Sequence, residues 1–306
     1  MDEKTLNSAD PILEEESAAS EPVVIKKQSQ FHEVVGRFVK NKMAVLSFFV
    51  IVALVLVAIF ADKIAPYGWD DQDLNRAFLY PCKEFLLGTD NYGRDILSRL
   101  IYGARYSLSV GLISVTFSCL IGVILGCIAG FYNQVVDNFI MRVVDVLLAI
   151  PNILLALSIA AALGPGLLNL IIAVGIGSIP GYARIVRAQI LSVKQMEYIE
   201  AARSIGASDF RLITKHILPN CLAPIIVQAT MSIAIAILSA ASLSFLGLGI
   251  TPPTPEWGSM LSAGRAFMRD FWPIVTFPGL MIMITVFAFN ILGDGLRDAL
   301  DPKLKN

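Results

Sequence analysis

Residues 194–224 read KQMEYIEAARSIGASDFRLITKHILPNCLAP, a polar stretch set between two strongly apolar ones. From Tyr198, apolar side chains recur at Ala201, Ala202 and Ile205, the i, i+3, i+4, i+7 spacing of one helix face. Lys194, Glu197, Glu200 and Arg203 step by three and fall on the other side. Gly206 suits a helix C-terminus, because without a Cβ it enters the left-handed region at no steric cost. Ser208 is placed to cap a second helix, and Asp209 puts negative charge in its first turn. That helix is expected to run through Phe210 and Ile213 to Leu218 and to stop at Pro219. Two short helices joined by a sharp turn outside the lipid make a docking piece rather than a catalytic one.

The flanks explain why lipid enters the argument. Apolar residues make up 56% of the 306, above the usual share of a soluble domain, and several stretches reach the roughly 20 residues a bilayer crossing needs. The net charge of −1 conceals an asymmetry between an acidic start and a basic segment just before the first apolar run. That acidic start and late apolar run do not fit a cleavable signal peptide. Cys82, Cys119, Cys127 and Cys221 are scattered without metal or redox spacing. Cys119 and Cys127 read as packing residues, and with only Cys82 facing outside no internal disulfide is expected.

Taken in order, residues 1–30 are Glu-, Ser- and Ala-rich without apolar period, an expected disordered acidic tail. Phe31 to Lys42 is a basic amphipathic stub, the positive flank of a membrane helix or, alternatively, a lipid-surface helix. Met43 to Ala61 is the first predicted span. The polar loop that follows, to Arg105, contains GTDNYGRD, which lacks the spaced acids of a calcium loop and the strand-to-helix context of a phosphate loop. A short amphipathic helix is predicted over Asp95 to Tyr102. Ser107 to Phe131 is the second span, with Gly122, Gly126 and Gly130 on one face for close helix approach. Phe139 to Ala162 is the third, kinked at Pro151, with Arg142 and Asp145 spaced to pair. Leu167 to about Ala183, ending at Pro180-Gly181, Leu222 to Leu246 and Pro273 to Leu292 complete six. Between the last two, Pro252, Pro253, Pro255 and Trp257 indicate rigid turns near the interface.

Basic residues cluster at alternate junctions: Arg37, Lys40 and Lys42; Arg142; Arg184 through Lys215; Arg297, Lys303 and Lys305. The positive-inside rule then places both termini and the segment 194–224 in the cytoplasm. No G-x-x-x-x-G-K-[ST] loop occurs, so hydrolysis of nucleotide by this chain is not expected. His216 reads as a packing or partner-contact residue, since no nucleophile or metal-ligand set accompanies it. Apart from the third, the predicted spans carry no Asp, Glu, Lys or Arg, which argues against an ion-coupled carrier. A stand-alone channel or a scaffold using the same docking loop are the remaining alternatives.

Glu200-Ala201-Ala202, then Gly206, then Leu218-Pro219 resembles the EAA signature of bacterial ABC importer permeases, with His216 where that pattern has Ile. LGTDNYGRDILSRLIYGAR, LSFLGLGITPPTPEWGSML and FNILGDGLRDALDPKLK resemble one branch, the second permease subunit of dipeptide, oligopeptide, nickel and glutathione importers. The resemblance implies an all-α integral membrane protein of about six transmembrane helices with the type I importer permease fold. It implies a basic stub, first helix and extracytoplasmic loop over 31–105, a permease core over 106–293 and a cytoplasmic tail over 294–306. It also implies a homologous permease as partner, two cytoplasmic ABC ATPases that carry ATP and Mg, and an extracytoplasmic peptide-binding protein in the inner membrane system. The chain itself would hold no cofactor, metal or nucleic acid. ATPase coupling would fall to Glu200, Ala201, Ala202, Ser204, Gly206, Ala207, Ser208, Asp209, Leu218 and Pro219. A peptide is the expected solute, with nickel or glutathione as the alternative.

Overall fold

The computed structural model describes residues 30–301, with side chains from Glu33 onward. The expected acidic tail up to residue 29, and Lys303 and Lys305, lie outside the described residues. Helix α1 (Gln30–Lys40) turns at Asn41, whose Oδ1 accepts the Ala44 N–H at 3.2 Å, into α2 (Lys42–Ile59) and the short α3 (Ala61–Ile64). After a long loop come α4 (Ile96–Phe131), α5 (Gln134–Leu148), α6 (Asn152–Leu163) and α7 (Leu167–Val193). The docking stretch forms α8 (Glu197–Ser204) and α9 (Asp209–Arg211), and α9 passes through a π turn (Leu212–Ile217) into α10 (Leu218–Phe245). Helices α11 (Trp257–Gly264) and α12 (Pro273–Leu300) complete the chain. Among the described residues there are five helices long and apolar enough to cross a membrane, or six if α5 and α6 count as one broken span.

Helix α4 is the axis of the bundle. Its 36 residues extend about 54 Å at 1.5 Å per residue, far beyond a hydrocarbon core of about 30 Å. The separate helix expected over Asp95 to Tyr102 is therefore the first turns of this one, started by Asp95, whose Oδ2 accepts Ser98 N–H at 2.8 Å. Gly122, Gly126 and Gly130 all face α7: a Cβ on Gly126 would lie 2.7 Å from the Ala183 carbonyl oxygen, and one on Gly130 3.0 Å from Ile190 Cβ. The four-residue glycine spacing thus sets the backbone contact between α4 and α7.

Four expectations change here. Helix α7 does not end at Pro180; it continues to Val193 with Pro180 inside, and α12 continues past Leu292 to Leu300. Proline costs a helix only one donor and a local bend when the flanking turns are packed. Pro151, by contrast, does more than kink: α5 and α6 meet at 87°, because the residue before proline is driven out of the helical region. Nor do Arg142 and Asp145 pair. Asp145 accepts from Arg184 of α7 at 2.7 Å and Arg142 is exposed, while Arg187 grips the buried Asp137 with Nη2–Oδ2 at 2.6 Å. The slant of α5 across α7 gives its carboxylates tertiary partners that outcompete the neighbour three residues away.

The fourth concerns Trp257. It lies not in a turn but fully buried at the start of α11, with Nε1 donating to the Leu100 carbonyl at 3.1 Å. Glu256, 2% exposed, caps α11 by accepting from the N–H groups of Gly258 and Ser259, both at 2.8 Å, and from the Ser107 hydroxyl at 3.3 Å. Arg99 of α4 donates to the carbonyls of Trp69 (2.8 Å) and Pro253 (3.2 Å), tying both loops at this end to one helix. In GTDNYGRD, Asp90 Oδ1 accepts Tyr92 N–H at 2.8 Å and its Oδ2 accepts Arg94 Nε at 2.7 Å, so the acid closes the turn itself.

Burial pushes the Glu256 carboxyl above its ordinary range, opposed by the N–H groups of Gly258 and Ser259 and the Ser107 hydroxyl. The folded state then holds this proton more tightly than the unfolded one. Its stability contribution is full at low pH and is lost as pH rises from the ordinary glutamate value of about 4 through the raised folded value. Glu256→Gln is expected to remove that slope from the apparent unfolding temperature of the purified protein. Parallel pH profiles for the two proteins would contradict it.

Candidate docking site

The hairpin formed by α8 and α9 stands at the end of the bundle where α4 and α7 finish and α10 begins. Its seat is a compact apolar cluster separate from the main core, in which Phe131, Val186, Ile190 and Val193 meet Ile199, Leu212, Ile217 and Cys221. Ile199 is 2% exposed, and full burial of such a side chain contributes about 1.5–3 kcal/mol, so the hairpin is held to the bundle by its own residues. Lys194 Nζ reinforces the seat by donating to the carbonyls of Gly130 (3.0 Å) and Phe131 (3.2 Å), satisfying acceptors left open at the end of α4. The Arg203 guanidinium lies 5.7 Å from the Phe131 ring centroid.

Gly206 occupies the position the sequence marked. Its φ is +86°, its N–H donates to the Arg203 carbonyl at 3.0 Å, and the Ala207 N–H donates to the Ala202 carbonyl at 3.1 Å. These two bonds form a Schellman motif, with Ala202 and Ala207 half-buried against the cluster below. Ser208 sits at the N-cap of α9 with extended backbone (φ −67°, ψ 152°), yet its side chain makes no capping hydrogen bond. The expected cap is therefore positional only.

Pro219 does not stop the second helix. The Leu218 N–H donates five residues back to Ile213, the π register, and helix continues from Asp209 to Phe245. A π turn places one extra residue in the ring and shifts the bonding frame, so a proline just after it gives up a donor that the wider turn leaves without a regular partner. The segment from 209 to 217 is thus continuous with a membrane helix.

The hairpin's faces also differ from the helical-wheel expectation. Its inward side chain on α8 is Ile199, which falls outside the apolar spacing counted from Tyr198, while Ile205 is 87% and Phe210 77% exposed. Glu200, Ala201, Ser204, Ser208 and Asp209 are exposed beside them, Leu218 is half-buried and Pro219 exposed. The Ser204 hydroxyl donates to its own helix at the Glu200 carbonyl, 3.0 Å away. Of the sequence-marked residues, Glu200, Ala201, Ser204, Gly206, Ser208, Asp209 and Pro219 are exposed while Ala202, Ala207 and Leu218 pack against the seat, and Ile205 and Phe210 are apolar points flanking the Gly206 turn. Two large apolar side chains on either side of a helix-breaking glycine, in an otherwise polar segment, are the signal for them.

A multi-span helical bundle with a helical hairpin seated at and projecting from one end defines an integral membrane protein with an extramembrane hairpin. Residues 122–306 match the family model described as the binding-protein-dependent transport system inner membrane component, and residues 29–81 match the N-terminal TM domain of oligopeptide transport permease C. This chain belongs to the family of binding-protein-dependent transport system inner membrane components.

Among its relatives is the di/tripeptide transport system permease protein DppC of Pseudomonas aeruginosa (strain UCBPP-PA14), 47% identical over 294 residues, covering 94% of this chain and 97% of that one. The glutathione transport system permease protein GsiD of Escherichia coli O6:K15:H31 (strain 536 / UPEC) is 49% identical over 282 residues, covering 91% and 92%. Among solved structures, inward-facing conformations of the MetNI methionine ABC transporter match with a TM-score of 0.54 at 20% identity over 66% of this chain and 97% of that one. That likeness concerns the fold.

Proposed function

We propose that this chain is one permease subunit of an ATP-driven importer of di- or oligopeptides, coupled through the α8–α9 hairpin to cytoplasmic ATPases. The observation that carries the coupling is the exposure of Ile205 and Phe210 on a hairpin whose base is locked to α4, α7 and α10. Apolar side chains held out on a rigid mount favour a protein partner, since water gains nothing from them. The subunit pairs with a homologous permease, receives solute from an extracytoplasmic binding protein, and holds neither ATP nor metal. With both termini in the cytoplasm, the basic groups Arg184, Arg187, Lys194 and Arg203 lie on the side that the positive-inside rule prefers.

In operation, closure of the ATPases moves the hairpin, and the unbroken helix from Asp209 to Phe245 carries that movement into the bundle. Peptide import follows from the relatives named for di/tripeptides, and glutathione, itself a tripeptide, is the second reading because its permeases are equally similar. Uptake of labelled dipeptide and of glutathione by vesicles holding the full complex, with and without ATP, tests both. ATP-dependent accumulation of neither would overturn the solute class, and transport by this chain alone would overturn the coupling.

Glu200 is exposed on α8 with its carboxylate directed to no group of this chain among the described residues, as suits a polar contact to the ATPase. Glu200→Ala is expected to weaken co-purification of the ATPases by about threefold to tenfold, the scale of one hydrogen bond at an exposed site. Undiminished co-purification with intact transport would remove Glu200 from the site.

A further inference from the structure

Helices α7 and α12 stand on either side of α10 and leave between them a cleft of about 630 Å³ that opens at the hairpin end of the bundle. Its floor is a stripe of α10, on which Asn220, Ala223, Val227 and Met231 follow one another at steps of three and four, with Gln228 beside Val227. Gln189 enters from α7, and Arg297 and Asp301 from the end of α12. The polar groups of the wall argue against lipid as the occupant. Where α2 shows its outer face, the exposed residues are Leu46, Phe49 and Leu56, whereas this wall holds three carboxamides and charges of both signs. A carboxamide facing hydrocarbon without a partner costs several kcal/mol.

The hydrogen-bonding groups here are only partly used. Gln228 Nε2 donates to the Ser232 hydroxyl at 3.1 Å, leaving its carbonyl oxygen open. Gln189 forms no hydrogen bond, and Arg297 no ion pair, among the described residues. Asn220 donates to the Tyr198 hydroxyl at 3.2 Å and to the His216 carbonyl at 2.6 Å, so the floor of the cleft is bonded to helix α8 of the docking hairpin.

We propose that this cleft is the cytoplasmic station of the translocation route, holding a short peptide with a free carboxylate as it leaves. The carboxamides of Gln228 and Gln189 meet its main-chain N–H and C=O groups without regard to side chains. Arg297 meets the carboxylate. Through Asn220 and Tyr198, occupancy of the cleft is linked mechanically to the hairpin. The proposal rests on the peptide-importer reading and adds to it which residues touch the solute.

The test uses the complete complex in vesicles, with a labelled dipeptide, its C-amidated analogue and a diazirine-bearing dipeptide as probes. Gln228→Leu is expected to lower dipeptide uptake about tenfold in complexes that still assemble, the effect of removing one hydrogen bond from a desolvated site. Arg297→Gln is expected to bring uptake of the free acid down to that of the amide. Photolysis of wild type is expected to place the diazirine label between residues 220 and 231. If Gln228→Leu fails to assemble, the wild-type label decides. Unchanged uptake in both variants, or label elsewhere in a wild type that transports, overturns the station alone. Cross-linking of Gln228→Cys to the homologous permease during undisturbed turnover shows the cleft filled by the partner and likewise overturns it. A wild type that accumulates no peptide overturns the importer reading as well.

Discussion

Gly206→Val is expected to reduce ATP-driven uptake to background while the chain still inserts and associates with its homologous permease. The φ of +86° at this position lies where an L-residue pays about 1–2 kcal/mol, and a β-branched residue is a genuine outlier. No atom lies within 4 Å of a Cβ built there, so the penalty comes from the backbone and is not relieved by repacking. The cheapest response is to give up the two Schellman bonds, which frees α8 from α9 and lets Ile205 and Phe210 take new directions. The apolar seat around Ile199 and Leu212 persists, so the effect falls on coupling. Gly206→Asn, which tolerates the left-handed region, is expected to keep most activity. Wild-type uptake in the valine variant would show that the turn geometry does not transmit force.

The second large effect lies within the membrane. Gly126→Leu is expected to abolish accumulation of folded protein, because a Cβ there meets the Ala183 carbonyl oxygen and Val186 Cβ, both at 2.7 Å. Neither obstacle is the end of a flexible chain. Helices α4 and α7 would have to separate, and with them the pairing of Arg187 with Asp137 and of Lys194 with the end of α4. Overpacking of this kind costs roughly 1–3 kcal/mol or more, enough to consume much of a protein's margin of stability. Gly181→Ala is the matched control: it lies in α7 with no atom within 4 Å of a built Cβ, and alanine is the better helix former by about 1 kcal/mol. Size-exclusion profiles and unfolding temperatures of the two variants distinguish packing from glycine content. A monodisperse, stable Gly126→Leu protein would refute the close-approach role.

Much of this architecture was legible along the chain because lipid imposes simple requirements. Apolar runs of sufficient length mark spans, the four-residue glycine step marks a close helix contact, and a polar segment between spans with Gly206 inside marks a turn outside the bilayer. Each is a property of neighbours in sequence: length, periodicity, or one residue's allowed backbone angles. The structure agrees on the glycine face and the Gly206 turn for that reason.

What sequence could not decide depends on partners far along the chain. Pro180 and Pro219 read as terminators, but packed helices on both sides, and a π turn before Pro219, keep the helix going. Asp145 could be offered Arg142 by spacing; only the slant of α5 delivers Arg184 instead. Glu256 and Trp257 lie in a proline-rich loop and become a buried cap because α4 presents Ser107 and the Leu100 carbonyl to them. The helical wheel set Ile205 with the apolar face, whereas the cluster under the hairpin had room for Ile199. Sequence by itself therefore determined the apolar runs long enough to cross, the glycine face of close helix approach and the place of the Gly206 turn, since those follow from local chemistry. Which charges pair, which faces are buried, and the cleft over α10 were decided by tertiary structure, because each needs groups from helices far apart in sequence to meet in space.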